Sequence, residues 1–303
     1  MKLIEKLFSV LIVLFGVASL VHAQISLDIT KKVEGGGTPI AIAPFGGGAP
    51  EDIAGIVAAD LQRTGKFAPQ PPGAPANYSV TGQASPGGAR GYIVQFQLND
   101  AQGGSLLNLS FDIPANQLRP VAHRISDLIY EKLTGEKGLA GTRIAFVASG
   151  GGVWYLVVAD ADGQNPQVIL RSGQPIMSPS WSPDGSKLAY VSFEGRRAQI
   201  VVQDVYSGAR RVVSAAPGIN GAPAWAPNGQ RLAFTLSKDG NPEIYALDLA
   251  TQSPVRLTSN GAIDTEPVWL PDGGIIFTSD RGGSPQLYRI GAGGGAAQRL
   301  TFE

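Results

Sequence analysis

The chain has 303 residues, with 24 basic and 24 acidic side chains, no cysteine, 40 glycines and 22 prolines. Balanced charge excludes the broad positive field that binding to nucleic acid or anionic lipid would call for. The absence of cysteine excludes disulfides, Cys-based zinc sites and a thiol nucleophile, and this much glycine and proline without a collagen period calls for many tight turns between short elements.

Lys2 and Lys6 precede an apolar run from Leu7 to Leu20, which Val21-His22-Ala23 closes in the manner of a signal-peptidase site. Residues 1–23 are therefore expected to be a signal peptide. The run is short for a bilayer crossing, and the expected mature start is Gln24. The segment QISLDITKK, Gln24 to Lys32, alternates Ile25, Leu27 and Ile29 with Ser26, Asp28 and further polar residues. Such a segment can pair as a strand or lie free as a short epitope.

Residues 24–137 mix helix and strand signals. A short strand is expected around Ile40 and Ile42, followed by the glycine triplet Gly46 to Gly48. In PEDIAGIVAADLQRTG, Pro50 suits the first position of a helix, Glu51 and Asp52 favour its positive end, Ile53, Ile56, Val57 and Leu61 mark one face, and Gly65 is the stop. Runs at Tyr78 to Val80, Tyr92 to Leu98 and Leu106 to Ile113 predict a meander, and Pro69 to Asn77 reads as an exposed loop. A second helix is expected from about Asn116 to Leu133, with Leu118, Val121, Ile125, Leu128 and Ile129 on its buried stripe.

From Arg143 onward helix signals disappear. Trp181-Ser-Pro-Asp-Gly, Trp225-Ala-Pro-Asn-Gly and Trp269-Leu-Pro-Asp-Gly recur at 44-residue steps, and Arg143-Ile-Ala-Phe stands 44 residues before Lys187-Leu-Ala-Tyr. Each unit reads as four short strands: one closed by the tryptophan, a second at Leu188, Leu232 or Ile276, a third at Ile200, Ile244 or Leu287, and a fourth near Val212, Leu257 or Leu300. Four strands in about 44 residues is the signature of a β-propeller blade. One blade cannot bury either of its faces alone, so equivalent blades must cover each other, with Trp181, Trp225 and Trp269 concentrating that burial. The fold class is thus an α/β N-terminal domain followed, over 138–303, by an all-β propeller, incomplete by the blade number that the resemblance given below implies. The links expected between blades are Gln174 to Ser180, Gly218 to Ala224 and Ala262 to Val268, and varied side chains held there on rigid strands suit recognition.

The segments VAHRISDLIYEKLTGE, DADGQNPQVILRSGQPIMSPSWSPDG, PGINGAPAW, KDGNPEIYALDLA and DTEPVW followed by TSDRGGSPQLYRI together resemble the TolB family of the bacterial Tol-Pal envelope system. That resemblance implies a periplasmic, non-enzymatic scaffold of a Gram-negative cell, supporting outer-membrane integrity and division. It implies that the lipoprotein Pal docks at the propeller opening, where the matching positions are Ile219, Ala222, Thr265 and Glu266, with Met177 and Ser178 as weaker equivalents. It implies further that Gln24, Ile25, Ser26, Leu27, Asp28 and Ile29 contact TolA and can switch between docked and released states. The family typically has about six blades, whereas this chain supplies about four, the first lacking its tryptophan strand, so a fragment or partial gene product is expected. Residues 67–92 also look short for the family.

No cofactor is expected. After Gly46 to Gly48, the third position of a phosphate-binding G-x-G-x-x-G falls on Glu51, and no P-loop lysine follows. Asp160-Ala-Asp162-Gly163 lacks the later ligands of a calcium loop and reads as a β-turn, while Glu266 near the channel could help hold a cation. The competing reading is the propeller of a prolyl-oligopeptidase-like peptidase whose catalytic domain is missing. Such an enzyme needs G-x-S-x-G and a catalytic histidine, and the only histidine after the expected cleavage site, His123, has no evident nucleophile partner.

Overall fold

The computed structural model describes residues 36–302 except Arg90. The expected signal peptide and the segment Gln24 to Ile29 lie outside the described residues.

The N-terminal region comprises β1 (Thr38–Ile42), α1 (Ile53–Arg63), β2 (Phe67–Gln70), β3 (Tyr78–Gly87), β4 (Gly91–Asp100), β5 (Ser105–Ile113) and α2 (Leu118–Thr134). Its sheet has the order β2-β1-β3-β4-β5; β1 is parallel to both neighbours, and β3, β4 and β5 form the expected antiparallel meander. Along β4, Val94, Phe96 and Leu98 are buried while Gln95 and Gln97 face solvent, the period-two alternation of a sheet with one covered face. The covering layer is α1 and α2, whose Ile53, Val57, Leu61, Val121, Ile125 and Ile129 share a core with those strands.

Two local expectations are corrected. Helix α1 starts at Ile53 rather than Pro50, because the Asp52 carboxylate accepts the Gly55 amide at 2.9 Å and caps the first turn. The expected loop from Pro69 loses its first residues to β2, which pairs with β1 from Thr38↔Phe67 to Ala41↔Gln70. An edge strand tolerates Pro69 because it has a row of amides that need no partner. Helix α2 ends at Gly135, whose φ of 75° is the left-handed cap that glycine adopts without strain.

Four radial sheets follow. Blade one has three strands, β6 (Arg143–Gly150), β7 (Val153–Asp160) and β8 (Gln167–Ser172). Blade two has β9 (Ile176–Trp181), β10 (Lys187–Ser192), β11 (Gln199–Asp204) and β12 (Arg210–Ser214). Blade three has β13 (Asn220–Trp225), β14 (Arg231–Leu236), β15 (Glu243–Asp248) and β16 (Pro254–Arg256). Blade four has β17 (Asp264–Trp269), β18 (Ile275–Ser279), β19 (Gln286–Gly291) and β20 (Gly294–Arg299). The fourth-strand landmarks Leu257 and Leu300 fall just past β16 and β20, where their amides still bond to Ile244 and Leu287.

The cores lie between blades rather than within them. One cluster joins Leu156 and Val158 of blade one to Ile176, Leu188 and Tyr190 of blade two. A second joins Ala189, Ile200 and Val202 to Leu232, Phe234 and Tyr245, and a third joins Ala233, Ile244 and Ala246 to Ile275, Phe277 and Tyr288. The tryptophans sit at one register: Trp181 opposite Leu188, Trp225 opposite Leu232 and Trp269 opposite Ile275. Each turns toward the preceding blade. The Arg143 guanidinium lies 4.9 Å from the Trp181 ring centre and that of Arg231 5.3 Å from Trp269, while Trp225 Nε1 donates to the Ser180 carbonyl at 3.0 Å. Burial is uneven, because Trp225 is 8% exposed whereas Trp181 and Trp269 are only half-buried.

Candidate partner-binding surface on the inner strands

The innermost strands β9, β13 and β17 share an irregularity. Pairing with the next strand slips between Met177 and Ser180 in blade two, between Gly221 and Ala224 in blade three and between Thr265 and Val268 in blade four. Within each slip one non-glycine residue takes positive φ: Ser178 at 51°, Ala222 at 47° and Glu266 at 54°. Each precedes a proline, Pro179, Pro223 or Pro267. A proline cannot donate to the ladder, and the bulge leaves room for the missing hydrogen bond while bending the strand.

This corrects the expectation that Gln174 to Ser180, Gly218 to Ala224 and Ala262 to Val268 are inter-blade links. Most of these residues belong to β9, β13 and β17. The prolines and glycines that read as loop punctuation are the apparatus of a bulge in an innermost strand.

The six expected recognition residues therefore stand on or beside three equivalent bulges. Met177, Ser178, Ile219 and Glu266 are exposed, while Ala222 and Thr265 are half-buried. Ile263 and Val268 add exposed apolar surface to the same stretch in blade four, at 50% and 58% exposure. Left-handed φ at a residue with a side chain costs on the order of 1 kcal/mol, so fixed support is needed beneath. The Ile219 amide donates to Ser237 Oγ at 2.8 Å, and the Glu266 amide donates to Thr235 Oγ1 of blade three at 3.2 Å. Buried Asn220 accepts from Ser214 Oγ at 2.6 Å and donates to the Ala216 carbonyl at 2.8 Å. Fully buried Asp264 accepts from Arg281 Nη2 at 2.7 Å and Asn260 Nδ2 at 2.8 Å.

A second polar cluster, which the sequence did not foretell, lies where α1 and α2 meet the β7–β8 turn. Buried Asp60, His123, Ser126 and Asp162 converge there. Asp60 Oδ2 is 2.7 Å from His123 Nδ1 and accepts from Ser126 Oγ at 2.8 Å. Arg119 bonds to Asp162 and to Glu51, and its Nε lies 3.4 Å from Asp160. The segment Asp160 to Gly163 is the expected β-turn, closed by the Gly163 amide on the Asp160 carbonyl at 2.8 Å. Among the described residues, His123, Asp160 and Asp162 are the one group of potential metal ligands close enough to share an ion, and Glu266 belongs to none. The Arg119 guanidinium reaches both aspartates, so the arrangement is an ion-pair network. Nor is it a hydrolase triad: Ser126 bonds to Asp60 rather than to His123, and His123 Nε2 has no hydroxyl partner. The Gly46 segment is tied to β3 by bonds to Gly82 and Ala84.

The profile described as the TolB beta propeller domain matches residues 130–303, and that of the TolB amino-terminal domain matches residues 25–78. The Tol-Pal system protein TolB of Nitrosococcus oceani is 49% identical over 195 residues, covering 55% of this chain and 45% of that protein. The protein of the same name from Sodalis glossinidius is 45% identical over 199 residues, covering 56% and 46%. The crystal structure of TolB from Acinetobacter baumannii superposes with a TM-score of 0.84 at 41% identity, over 90% of this chain and 73% of that one. The chain spans about half the length of the curated relatives it matches.

Proposed function

The chain belongs to the TolB family, and from that premise we propose that it is a non-enzymatic protein-interaction scaffold of the Tol-Pal system, working in the periplasm. Its propeller surface around Met177, Ser178, Ile219, Ala222, Thr265 and Glu266 receives the lipoprotein Pal. Its N-terminal segment Gln24 to Ile29 receives TolA, so that one molecule connects an inner-membrane machine to a peptidoglycan-bound lipoprotein and supports the outer membrane at division. The working units of this reading are 24–137 and 138–303.

The observation that carries the reading is the repetition of one strained bulge at Ser178, Ala222 and Glu266. A single such residue is an accident of packing. Three at one register, each before a proline, hold a row of mixed apolar and polar side chains in fixed positions, which suits a rigid partner. The relatives' names place them in the Tol-Pal system, and that supports Pal as the occupant.

Titration of the soluble domain of Pal into the chain tests it. Ala222→Arg and Thr265→Arg, each adding a long charged side chain to the bulge surface, are expected to weaken binding at least tenfold while leaving the melting temperature within a few degrees. Retained affinity in both variants removes Pal from this surface.

A further inference from the structure

The polar cluster under α2 sits at the junction of the α/β region and the propeller, and one ring nitrogen of its histidine has no hydrogen-bond partner. His123 is 3% exposed. Its Nδ1 is engaged by Asp60 of α1 at 2.7 Å, but its buried Nε2 makes no hydrogen bond and faces Asp162 Oδ2 of the β7–β8 turn at 4.0 Å. A neutral ring donating through Nδ1 would aim a lone pair at that carboxylate. A protonated ring presents N–H to both aspartates and needs only a small shift of the turn to complete the second bond.

The surrounding charges favour the proton. Facing His123 are Asp60 and Arg63 of α1, Arg119 of α2, and Asp160 and Asp162 at the end of β7 and in its turn, with Glu51 ahead of α1 on the far side of Arg119. The carboxylates Glu51, Asp60, Asp160 and Asp162 thus outnumber the guanidiniums Arg63 and Arg119, and a further positive charge is the missing complement. Burial by itself disfavours a charged imidazole, but the Asp60 hydrogen bond and the charges of Asp60 and Asp162 outweigh it, raising the His123 pKa above its ordinary value.

We propose that His123 is a proton-operated latch that fastens the α/β region to blade one by bridging Asp60 and Asp162. The two regions are otherwise joined by the ion pairs of Arg63 and Arg119 with Asp160 and Asp162, and by the segment between Thr134 and Arg143, which is pinned to α2 where Asp127 accepts the amides of Ala140 and Gly141 at 2.7 and 2.9 Å. Because folded His123 holds its proton more tightly than an exposed imidazole does, the latch is complete below the midpoint of a free histidine. It is released as pH rises through the raised midpoint, which loosens the junction without unfolding either region.

Only His22 and His123 are histidines, so in a chain starting at Gln24 the imidazole signals in a proton NMR titration belong to His123 alone. The expected midpoint lies above that of a free histidine and falls by half a unit or more in Asp162→Asn, whose amide oxygen still accepts the Gln164 amide that Asp162 Oδ1 accepts at 3.0 Å. The chain has no cysteine, so Ala101→Cys and Ala215→Cys place a fluorophore pair across the junction. Energy transfer is expected to change as pH crosses the NMR midpoint in the otherwise unaltered chain and to stay flat in His123→Gln. A midpoint at or below the free value, or one that Asp162→Asn does not move, overturns the latch. So does energy transfer that ignores pH, or that follows pH equally in His123→Gln.

Discussion

The indole Nε1 of Trp225 reaches across a blade boundary and donates to the backbone carbonyl of Ser180 at 3.0 Å. One side chain thus closes the inner strand of its own blade and satisfies a backbone acceptor in the preceding one. Trp225→Ala should cost about 3–5 kcal/mol, the range for truncating a buried aromatic. Trp225→Phe, which keeps most of the apolar contact and loses the donor, should cost about 1–3 kcal/mol. The half-buried Trp181 and Trp269 should cost less when truncated. Chemical denaturation of the three alanine variants checks that order.

The charge pair linking blade three to its outer edge is more sensitive than its size suggests. Glu243 is fully buried and accepts from Arg256 Nη2 at 2.8 Å, Thr258 Oγ1 at 2.5 Å and the Asn260 amide at 2.7 Å. Removing only Arg256 leaves a buried carboxylate without its counter-ion, and Arg256→Ala should therefore destabilise by about 3–5 kcal/mol. Urea unfolding of that variant gives the number directly.

At the bulges, backbone conformation rather than side-chain chemistry should govern stability. Ser178 occupies left-handed φ before Pro179. Ser178→Val forces a β-branched residue into that region and should cost about 1–2 kcal/mol, whereas Ser178→Gly should change stability by less than about 1 kcal/mol, relief of strain being offset by a freer unfolded chain. Thermal melts of the pair suffice.

The Pro-Asp-Gly turns carry a pH dependence of their own. Asp184 accepts from Ser182 Oγ at 2.6 Å, the Ser186 amide at 3.0 Å and Ser186 Oγ at 2.8 Å, and these bonds, that from Ser182 foremost, hold its carboxyl well below the usual carboxylate range. A lowered folded pKa contributes stability above the unfolded value of about 3.9 and loses it as pH falls toward the folded one. Asp184→Asn should melt below the parent chain at neutral pH, and the gap should narrow on acidification below that value.

The blade repeat was legible because its signals are local: tryptophan, proline, aspartate or asparagine, and glycine at fixed offsets, spaced by 44 residues. Fold class followed from it, whereas the expected recognition residues came from the resemblance to the TolB family. The inner strands read as links in the sequence because Pro179, Pro223 and Pro267 have the look of loop residues, whereas in the fold they sit in strand bulges. Pro50 and Asp52 both satisfy helix-start rules, and only the Gly55 amide bonded to Asp52 separates them. The cluster around His123 left no trace in the sequence. Asp60, Arg119, His123 and Asp162 come from α1, α2 and a blade turn, and no spacing rule connects them.

Site-specific photocrosslinking tests the proposed surface most directly, with a photoreactive amino acid at Ile219, 48% exposed at the start of an inner strand, or at Val255, 55% exposed on the outer strand of the same blade. The account predicts that the soluble domain of Pal is captured from Ile219 and not from Val255. Capture from Val255 alone, or from neither position under conditions where Pal binds, would contradict it.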